Sequence, residues 1–274
     1  MEGAPIECII CGGRQRKDLV TINGWTVKRC VQCGFGVLDP RPSVADIIKL
    51  YDEQYCHDRF EDGGEPGTQK FTHRLSLESS RLRLIKSGKN RGRVLDIGCG
   101  FGYFLAACRN NGYQIHGIDF SGFSVNHAIT KLNIPVTIGA LDEIDIAADQ
   151  FDIITMWHSL EHMPYPDQAI RKATKWLKKG GILVVDVPNH ESTDAIKYGL
   201  QWTGWDLPYH LSHFTPATLT SMLENAGFTI IKRKNYHSEF IKESLEKYML
   251  IKPFARLIAQ LYSGHSIAMV ARKY

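Results

Sequence analysis

Short apolar runs alternate with amphipathic stretches along the C-terminal two thirds of the chain. The runs predict buried strands at residues 94–97, 114–118, 136–138, 151–156, 182–187, 228–231 and 267–270. The stretches between them, such as residues 103–111 and 168–178, carry apolar side chains at helical spacing. Because the main runs are continuous rather than alternating, they indicate a parallel sheet covered on both faces. The pattern therefore predicts a doubly wound α/β domain over residues 91–274.

Two helical segments depart from that regular alternation. Residues 39–90 open with a proline-rich linker and continue with a helix capped by Ser43 and a further helical stretch, so we expect a helical linker or lid. Residues 240–262 predict a helical insert, broken at Pro253, between the last two strands. Four roles are open for this insert: packing on the domain's own surface, capping the active site, dimerising, or touching a membrane with its basic residues outward.

Four of the seven cysteines fall into two pairs with the spacing Cys-x-x-Cys. A two-residue spacer lets one tight turn present two thiolates to one ion, and two such turns complete a tetrahedron. Between the pairs, Asn23-Gly24 flanked by apolar residues predicts a hairpin. We therefore expect residues 1–38 to form a small zinc ribbon around a structural Zn²⁺ ion, with two disulfides as the alternative. The predicted ligands are Cys8, Cys11, Cys30 and Cys33.

The charge balance and the absence of long apolar runs narrow the class of protein. The 274 residues carry 33 basic and 29 acidic side chains, for a net charge of +4, which gives no general drive toward nucleic acid. No apolar run approaches the length of a membrane-spanning helix. The first residues lack a charged leader and an apolar region, which predicts a cytoplasmic protein with reduced cysteines. Cys56, Cys99 and Cys108 lack ligand spacing and are predicted to be small buried residues.

A glycine-rich turn follows the first predicted strand of the α/β domain and opens a helix. It spans residues 94–102 and reads V-L-D-I-G-C-G-F-G, in the context of a nucleotide-binding loop. Two features disfavour a dinucleotide: the third fingerprint glycine would fall at Tyr103, and the Asp96 carboxylate would repel a diphosphate. S-adenosylmethionine carries a sulfonium and an α-ammonium, so the Asp96 carboxylate would attract it. Asp119 ends the next strand, where a carboxylate can accept ribose hydroxyls.

Four segments resemble, in order, the motifs of class I S-adenosylmethionine-dependent methyltransferases. They are V-L-D-I-G-C-G-F-G, G-I-D-F, F-D-I-I-T-M-W-H-S-L-E-H and L-K-K-G-G-I-L-V-V-D-V-P-N. The resemblance implies a Rossmann-like sheet of seven strands whose last strand is antiparallel. It also implies that the glycine turn holds the methionine part of the cofactor, Asp119 the ribose, and the next residues the adenine. The implied cofactor-binding set is Asp96, Gly98, Cys99, Gly100, Gly102, Asp119, Phe120, Leu141 and Trp157.

The residues after the fourth predicted strand limit which classes of methyl acceptor are expected. Methyltransferases of exocyclic amines resemble one another in an N/D-P-P-Y motif, whereas this chain has M-W-H-S at residues 156–159, which disfavours that class. Glu161-His162 is similar to the E-H pair of quinone-pathway O-methyltransferases. For this pair, a metal-binding role and a purely structural role both stay open.

A histidine cluster lies between the fifth strand and the helix at Pro216. Its sequence Y-H-L-S-H-F-T is similar to the E-H-L-S-Y-F-S stretch of sugar C-methyltransferases, which also carry an N-terminal four-ligand zinc module. That match implies His210 as the general base, although Tyr209 and His213 depart from the family pattern. The alternative is that His210 and His213 hydrogen-bond a buried loop. The candidate catalytic residues are His210, His213 and His162.

The sequence thus predicts an S-adenosylmethionine-dependent methyltransferase with a histidine base. We expect C- or O-methylation of a small molecule or of a carrier-linked sugar or lipid. One alternative is an RNA methyltransferase that uses the basic residues 14–17 of the ribbon to meet phosphates. Another is a non-enzymatic interaction protein on the same fold, which the intact glycine turn and acidic residues disfavour.

Overall fold

Eleven strands form two sheets in the computed structural model, which describes residues 3–51 and 63–274. Strands β1, β2, β3 and β9 form one sheet and the other seven form the second. In chain order the strands are β1 (Arg16–Ile22), β2 (Trp25–Cys30), β3 (Gly36–Leu38), β4 (Arg93–Ile97), β5 (Gln114–Asp119), β6 (Val136–Ile138), β7 (Phe151–Trp157), β8 (Leu177–Pro188), β9 (Ser212–His213), β10 (Phe228–His237) and β11 (Ser263–Lys273).

Ten α-helices lie in the described ranges, and polar side chains fix where several of them begin. Ser43, the predicted cap of the first helix, accepts a hydrogen bond from a first-turn amide, and so do Ser121 and Thr215, which satisfies a donor that each helix leaves free. The helices are α1 (Val44–Leu50), α2 (Gln69–Leu77), α3 (Ser79–Lys86), α4 (Tyr103–Asn110), α5 (Gly122–Thr130), α6 (Pro166–Trp176), α7 (Thr193–Tyr198), α8 (Pro216–Asn225), α9 (Glu239–Glu246) and α10 (Ala255–Ala259).

The seven-stranded sheet has the order β10-β11-β8-β7-β4-β5-β6. Strands β4 to β8 pair in parallel, whereas β11 runs antiparallel to both of its neighbours. The predicted fold, including the antiparallel closing strand, is confirmed. Helix α6 begins at Pro166, two residues earlier than predicted, because the fixed φ of proline suits the first helical turn.

Both faces of this sheet are buried, which explains the continuous apolar strands. Successive side chains of a strand point to opposite faces. Ile154 of β7 therefore packs in the core with Trp176 of α6, while Ile153 packs in a second core with Leu105 of α4. The carboxyl ends of the parallel strands are left free to carry loops.

The small sheet contains the predicted hairpin and is completed by a strand from the α/β domain. Asn23 and Gly24 both have positive φ, as a type I′ turn between β1 and β2 requires. Strand β3 pairs with β2 on one side and with β9 on the other, where Gly36 lies opposite His213. A Cβ at Gly36 would stand 2.9 Å from the Cβ of His213, so only glycine allows this approach. The ribbon is therefore continuous with the chain around residue 212.

The two helical segments also take defined forms. The stretch predicted between residues 71 and 85 is two helices that meet at Glu78. The insert consists of α9, a 3₁₀ turn at Lys252–Phe254 and α10, so the predicted break at Pro253 is confirmed. Cys99 and Cys108 are buried as predicted, whereas Cys56 lies outside the described residues. No helix within the described ranges is long and apolar enough to cross a bilayer.

Candidate active site

A cavity of about 590 Å³ opens where the parallel strands β4, β5 and β7 end. All nine predicted cofactor-binding residues line it, together with His162 and His210. One side of the cavity, here called the glycine-loop side, is formed by residues 96–104, 118–121, 124 and 139–142. The other side, called the histidine side, is formed by Tyr51, residues 157–159 and 162–165, Thr203, Asp206 and His210 of the loop at 203–210, and His265.

The glycine turn brings bare backbone to the cavity. Gly98, Gly100 and Gly102 all have positive φ, which disfavours larger residues at these positions. At Gly98 a Cβ would also stand 2.5 Å from the Cβ of Ser159, so the turn packs directly against the loop after β7. The turn therefore leaves room for a ligand and is held rigidly in place.

Asp119 braces this turn from the neighbouring strand. The amide of Gly100 donates to Asp119 Oδ2 at 2.8 Å, and the amide of Ser121 donates to Oδ1 at 2.9 Å. Each carboxylate oxygen can accept more than one hydrogen bond. The geometry thus fixes the carboxylate and leaves capacity for ligand hydroxyls.

Asp96 is a buried carboxyl group at the base of the cavity, with 2% of its surface exposed. It accepts a hydrogen bond of 2.6 Å from the hydroxyl of Thr155 on the adjacent strand. Burial outweighs this bond and raises the pKa of Asp96 to about 8. A cation placed against Asp96 would favour the ionised form, so this side suits a positively charged ligand.

Two arginines from the helices before β4 also line the cavity, and sequence reasoning did not find them. Glu78 is buried and accepts from Arg74 at 2.7 Å and from Arg81 at 2.9 Å. The Arg81 guanidinium lies 5.2 Å from the centre of the Trp157 ring. In sequence the three charges have the i, i+4 and i+7 spacing of a helix face, but only the fold reveals that Arg74 and Arg81 lie on two helices that meet at Glu78 and that both line the cavity.

His210 has a defined hydrogen-bond arrangement on the histidine side. Its Nδ1 lies 2.9 Å from the carbonyl oxygen of Gly204, and a carbonyl only accepts, so Nδ1 carries the proton. Nε2 then holds the free lone pair and lies 3.7 Å from Asp206 Oδ2. The ring centroid of His162 is 4.6 Å from that of His210. A neutral His210 is therefore oriented to accept a proton at Nε2.

The environment of His162 differs from that of its neighbour. Its Nδ1 lies 2.7 Å from the Tyr51 hydroxyl and 3.1 Å from the carbonyl oxygen of Tyr209. Burial, reinforced by His210, lowers the pKa of His162 to about 4. His162 is thus a neutral and weakly basic group at neutral pH.

His158 lines the same side between two buried carboxyl groups. Its Nδ1 is 3.3 Å from Glu161 Oε1, and its Nε2 is 3.9 Å from Asp186 Oδ1. Burial disfavours the imidazolium, but these two groups outweigh it and raise the pKa of His158. Burial likewise opposes ionisation of Glu161, yet the contact with His158 holds its pKa down to about 2. His158 therefore suits a positive charge, unlike His162.

Comparison with known proteins identifies the family that carries this site. The family model for a methyltransferase domain matches residues 69–233, which is more than half of the chain. The chain belongs to this methyltransferase family. Two similar proteins are ubiquinone biosynthesis O-methyltransferases. The one from Xanthomonas axonopodis pv. citri (strain 306) is 31% identical over 180 residues, 60% of this chain and 74% of the relative. The one from Coxiella burnetii (strain RSA 331 / Henzerling II) is 28% identical over 184 residues, 63% of this chain and 77% of the relative.

Solved structures agree with the fold of this methyltransferase. A SAM-dependent methyltransferase from Archaeoglobus fulgidus aligns with a TM-score of 0.56 at 21% identity, over 73% of this chain and 94% of the other. The prediction of a class I S-adenosylmethionine-dependent enzyme is confirmed.

Three ring side chains of residues 202–213 lie outside the cavity of the methyltransferase fold. His213 does not line the cavity, although its ring centroid lies 6.3 Å from that of His210, because its backbone pairs with Gly36 in the ribbon sheet. Burial lowers its pKa well below the ordinary value. Trp202 and Trp205 also lie outside the cavity and are buried against Val20 and Val27 of the ribbon.

The four predicted zinc ligands converge on one point of the ribbon. Cys8 Sγ lies 3.5 Å from Cys33 Sγ, and Cys11 Sγ lies 3.6 Å from Cys30 Sγ. All four sulfur atoms lie within 4.8 Å of one another. Sulfurs bound to one zinc ion at about 2.3 Å in a tetrahedron stand about 3.8 Å apart. The cluster therefore has the donor set and the dimensions of a four-thiolate zinc site.

A second group of side chains has ligand atoms equally close together. One ligand atom from each of Glu161, His162 and His210 lies within 4.8 Å of the others. Both carboxylate oxygens of Glu161 are buried without a hydrogen-bond partner among the described residues. The ion-pairing contact with His158 accounts for this buried charge without a metal, so both predicted roles of the Glu161-His162 pair stay open.

Proposed function

We propose that this methyltransferase transfers the methyl group of S-adenosylmethionine to a hydroxyl oxygen of a small cyclic molecule, with His210 as general base. The observation that carries the proposal is the orientation of His210. Its proton is held on Nδ1 by Gly204, so that Nε2 is free to accept. A base is required when the attacking atom carries a proton, as a hydroxyl does.

The residues of the glycine-loop side would bind the parts of the cofactor. Asp96 would face the α-ammonium, Asp119 the ribose hydroxyls, and Phe120 and Leu141 the adenine. Arg81 lines the cavity and would attract the methionine carboxylate. Its ion pair with Glu78 keeps the guanidinium in position while leaving donors free.

The histidine side would then align the acceptor. The hydroxyl oxygen attacks the methyl carbon in line with its bond to sulfur, and the electron pair of that bond returns to sulfur as the thioether forms. The hydroxyl proton moves to Nε2 of His210, and the Asp206 carboxylate 3.7 Å away stabilises the imidazolium. Alignment of this kind supplies roughly 7–11 kcal/mol, and a positioned base adds roughly 10²–10⁴-fold.

The choice of an oxygen on a ring rests on the relatives and on the cavity wall. The similar proteins are named ubiquinone biosynthesis O-methyltransferases. In this chain the Tyr51 ring contacts Phe120, Tyr209 and His162 edge-on, at centroid distances of 4.8, 5.7 and 5.8 Å. Such a wall of rings suits a flat, largely apolar acceptor.

The cysteine cluster would hold a structural zinc ion through Cys8, Cys11, Cys30 and Cys33. Four protein thiolates fill a tetrahedral site, so no coordination position remains for a substrate. The ion would fold the ribbon, which in turn supports the loop that carries His210.

RNA methylation receives less support. Of the basic residues proposed to meet phosphates, Arg14 pairs with Glu7 at 2.6 Å and Arg16 donates to the Pro5 carbonyl. Neither guanidinium is therefore fully free for a nucleic acid.

Methyl-¹³C-labelled S-adenosylmethionine and a panel of catechols and phenols test the proposal. NMR of the product should show a new O–CH₃ resonance, whereas a C–CH₃ or N–CH₃ product would contradict it. His210→Ala should lower turnover by roughly 10²–10⁴-fold with the cofactor Kd unchanged. His73→Ala, at an exposed position of α2, is the matched control and should keep full turnover.

A further inference from the structure

The insert between β10 and β11 leaves large apolar side chains uncovered. Met249 is 84% exposed, Leu250 89% and Leu261 82%. Tyr248, Phe254 and Leu257 are also exposed within the same short segment. Single exposed apolar residues are ordinary on a protein surface, but a group of this size marks a contact surface.

Helix α10 shows that these side chains are turned away from the protein. Ala255 and Ala259, one turn apart, are fully buried, and the carbonyl of Ala259 accepts from the amide of Ser238 at 3.2 Å. Leu257 and Leu261, also one turn apart, are exposed. The small residues thus anchor the segment and the large ones face outward, so packing on the domain's own surface does not account for them.

Capping of the active site does not account for them either. Residues 239–262 are all described, and none of them lines the cavity. The tip is nevertheless a folded turn, because the amides of Tyr248, Ile251 and Phe254 are bonded to carbonyls within the segment. A turn whose backbone is satisfied internally can enter an apolar environment at low cost.

The charges in the segment select the kind of partner. Residues 247–262 contain Lys247, Lys252 and Arg256 and no acidic residue. Basic residues beside exposed apolar ones favour an anionic lipid surface, because each cation is attracted to the charged headgroups. A second copy of the same surface, related by two-fold symmetry, would bring like charges together.

We propose that residues 247–262 form a membrane-docking surface that inserts its apolar tip among the headgroups of an anionic bilayer. Leu250 and Met249 enter the apolar boundary, while Lys252 and Arg256 meet the lipid phosphates. The surface is separate from the catalytic cavity, so this proposal does not depend on the nature of the methyl acceptor.

Co-sedimentation of the zinc-loaded full chain with vesicles tests the proposal. The protein should bind phosphatidylcholine vesicles that contain phosphatidylglycerol, and binding should weaken with added salt. Leu250→Glu should lower the affinity by about tenfold or more, since it removes an inserting side chain and adds a repelled charge. Ile6→Glu, at a site 80% exposed on the ribbon, is the control and should bind like the unchanged protein.

Two measurements complete the test. Lys252→Gln combined with Arg256→Gln should reduce the preference for anionic vesicles while leaving the melting temperature unchanged. Equal binding by Leu250→Glu and the unchanged protein would overturn the proposal, as would the absence of vesicle binding. A dimer in sedimentation velocity that Leu250→Glu dissociates would assign the surface to a second copy instead, and would also overturn it.

Discussion

The two sides of the cavity are built in different ways. The glycine-loop side comes largely from two consecutive strand ends, with Asp96, the glycine turn and Asp119 within 24 residues of chain. The histidine side is assembled from Tyr51, the turn at residues 157–165, the loop at 203–210 and His265. Its loop is further supported by the ribbon through the pairing of β3 with β9. The difference implies that cofactor affinity depends on local structure, whereas turnover depends on long-range support.

Removal of zinc is the strongest test of that separation. Without the ion the ribbon should lose its fold, and with it the support of the His210 loop. We expect turnover to fall by roughly 10²–10⁴-fold, the full contribution of a positioned base, with the cofactor Kd little changed.

The readouts of this experiment go beyond activity. Metal analysis should find one zinc per chain before chelation, and the fluorescence of Trp202 and Trp205 should change as their contacts with Val20 and Val27 are lost. An equal loss of cofactor affinity and turnover would contradict the separation of the two sides.

Asp96→Asn should weaken cofactor binding, in contrast to zinc removal, which should lower turnover with little change in the cofactor Kd. The substitution keeps the size of the side chain but removes the charge that a cationic ligand would meet. Loss of one partner of a buried charge pair costs about 2–5 kcal/mol, so the cofactor Kd should rise by about a hundredfold. Titration calorimetry measures the change, and Asp145→Asn, at an exposed site, is the control. An unchanged Kd would remove Asp96 from cofactor recognition.

Acid should destabilise the fold through three histidines whose pKa values are lowered by burial. Burial lowers the pKa values of His162, His190 and His265 to about 4, below the ordinary 6.5. The unfolded chain therefore binds more protons between these values, and stability is lost as the pH falls through that window. The free energy of unfolding should drop by about 1.4 kcal/mol per pH unit for each histidine. Urea denaturation at a series of pH values measures it, and a flat profile from pH 6.5 to 5 would contradict the burial of these groups.

Gly36→Ala should lower turnover less than the other changes do, and it should leave cofactor and zinc binding unaffected. The added methyl group would stand 2.9 Å from the Cβ of His213, so β9 must shift while the zinc ligands stay in place. We expect turnover to fall several-fold with zinc content and cofactor Kd unchanged. Thr21→Ala, on the outer strand of the same sheet, is the control. Loss of zinc from Gly36→Ala would mean that the substitution disrupts the ribbon as a whole.

The sequence predicted what is local and missed what depends on distant contacts. The glycine turn, Asp119 and the hairpin at Asn23-Gly24 follow from short patterns of hydrophobicity and backbone conformation, whereas the antiparallel closing strand follows from the resemblance to class I methyltransferases. The roles of Arg81 and His265 at the cavity could not be predicted, because each is brought there by elements far apart in the chain.

His213 illustrates the same limit from the other direction. Its proximity to His210 in sequence suggested a shared site, and the two ring centroids do lie 6.3 Å apart, but of the two only His210 lines the cavity. Pairing with Gly36 then commits His213 to the ribbon. No pattern within residues 209–215 reveals that the ribbon supplies the neighbouring strand.

The protons exchanged on cofactor binding test the role of Asp96 most directly. Burial raises the pKa of Asp96 to about 8, so at pH 7 the free enzyme holds a proton there. A cationic ligand should restore the ionised form and release about one proton. Titration calorimetry with S-adenosylmethionine in buffers of different ionisation enthalpy counts that proton. The account predicts that the unchanged protein releases a proton on binding and that Asp96→Asn does not. Binding without proton release in the unchanged protein would contradict recognition of the cation by this buried carboxylate.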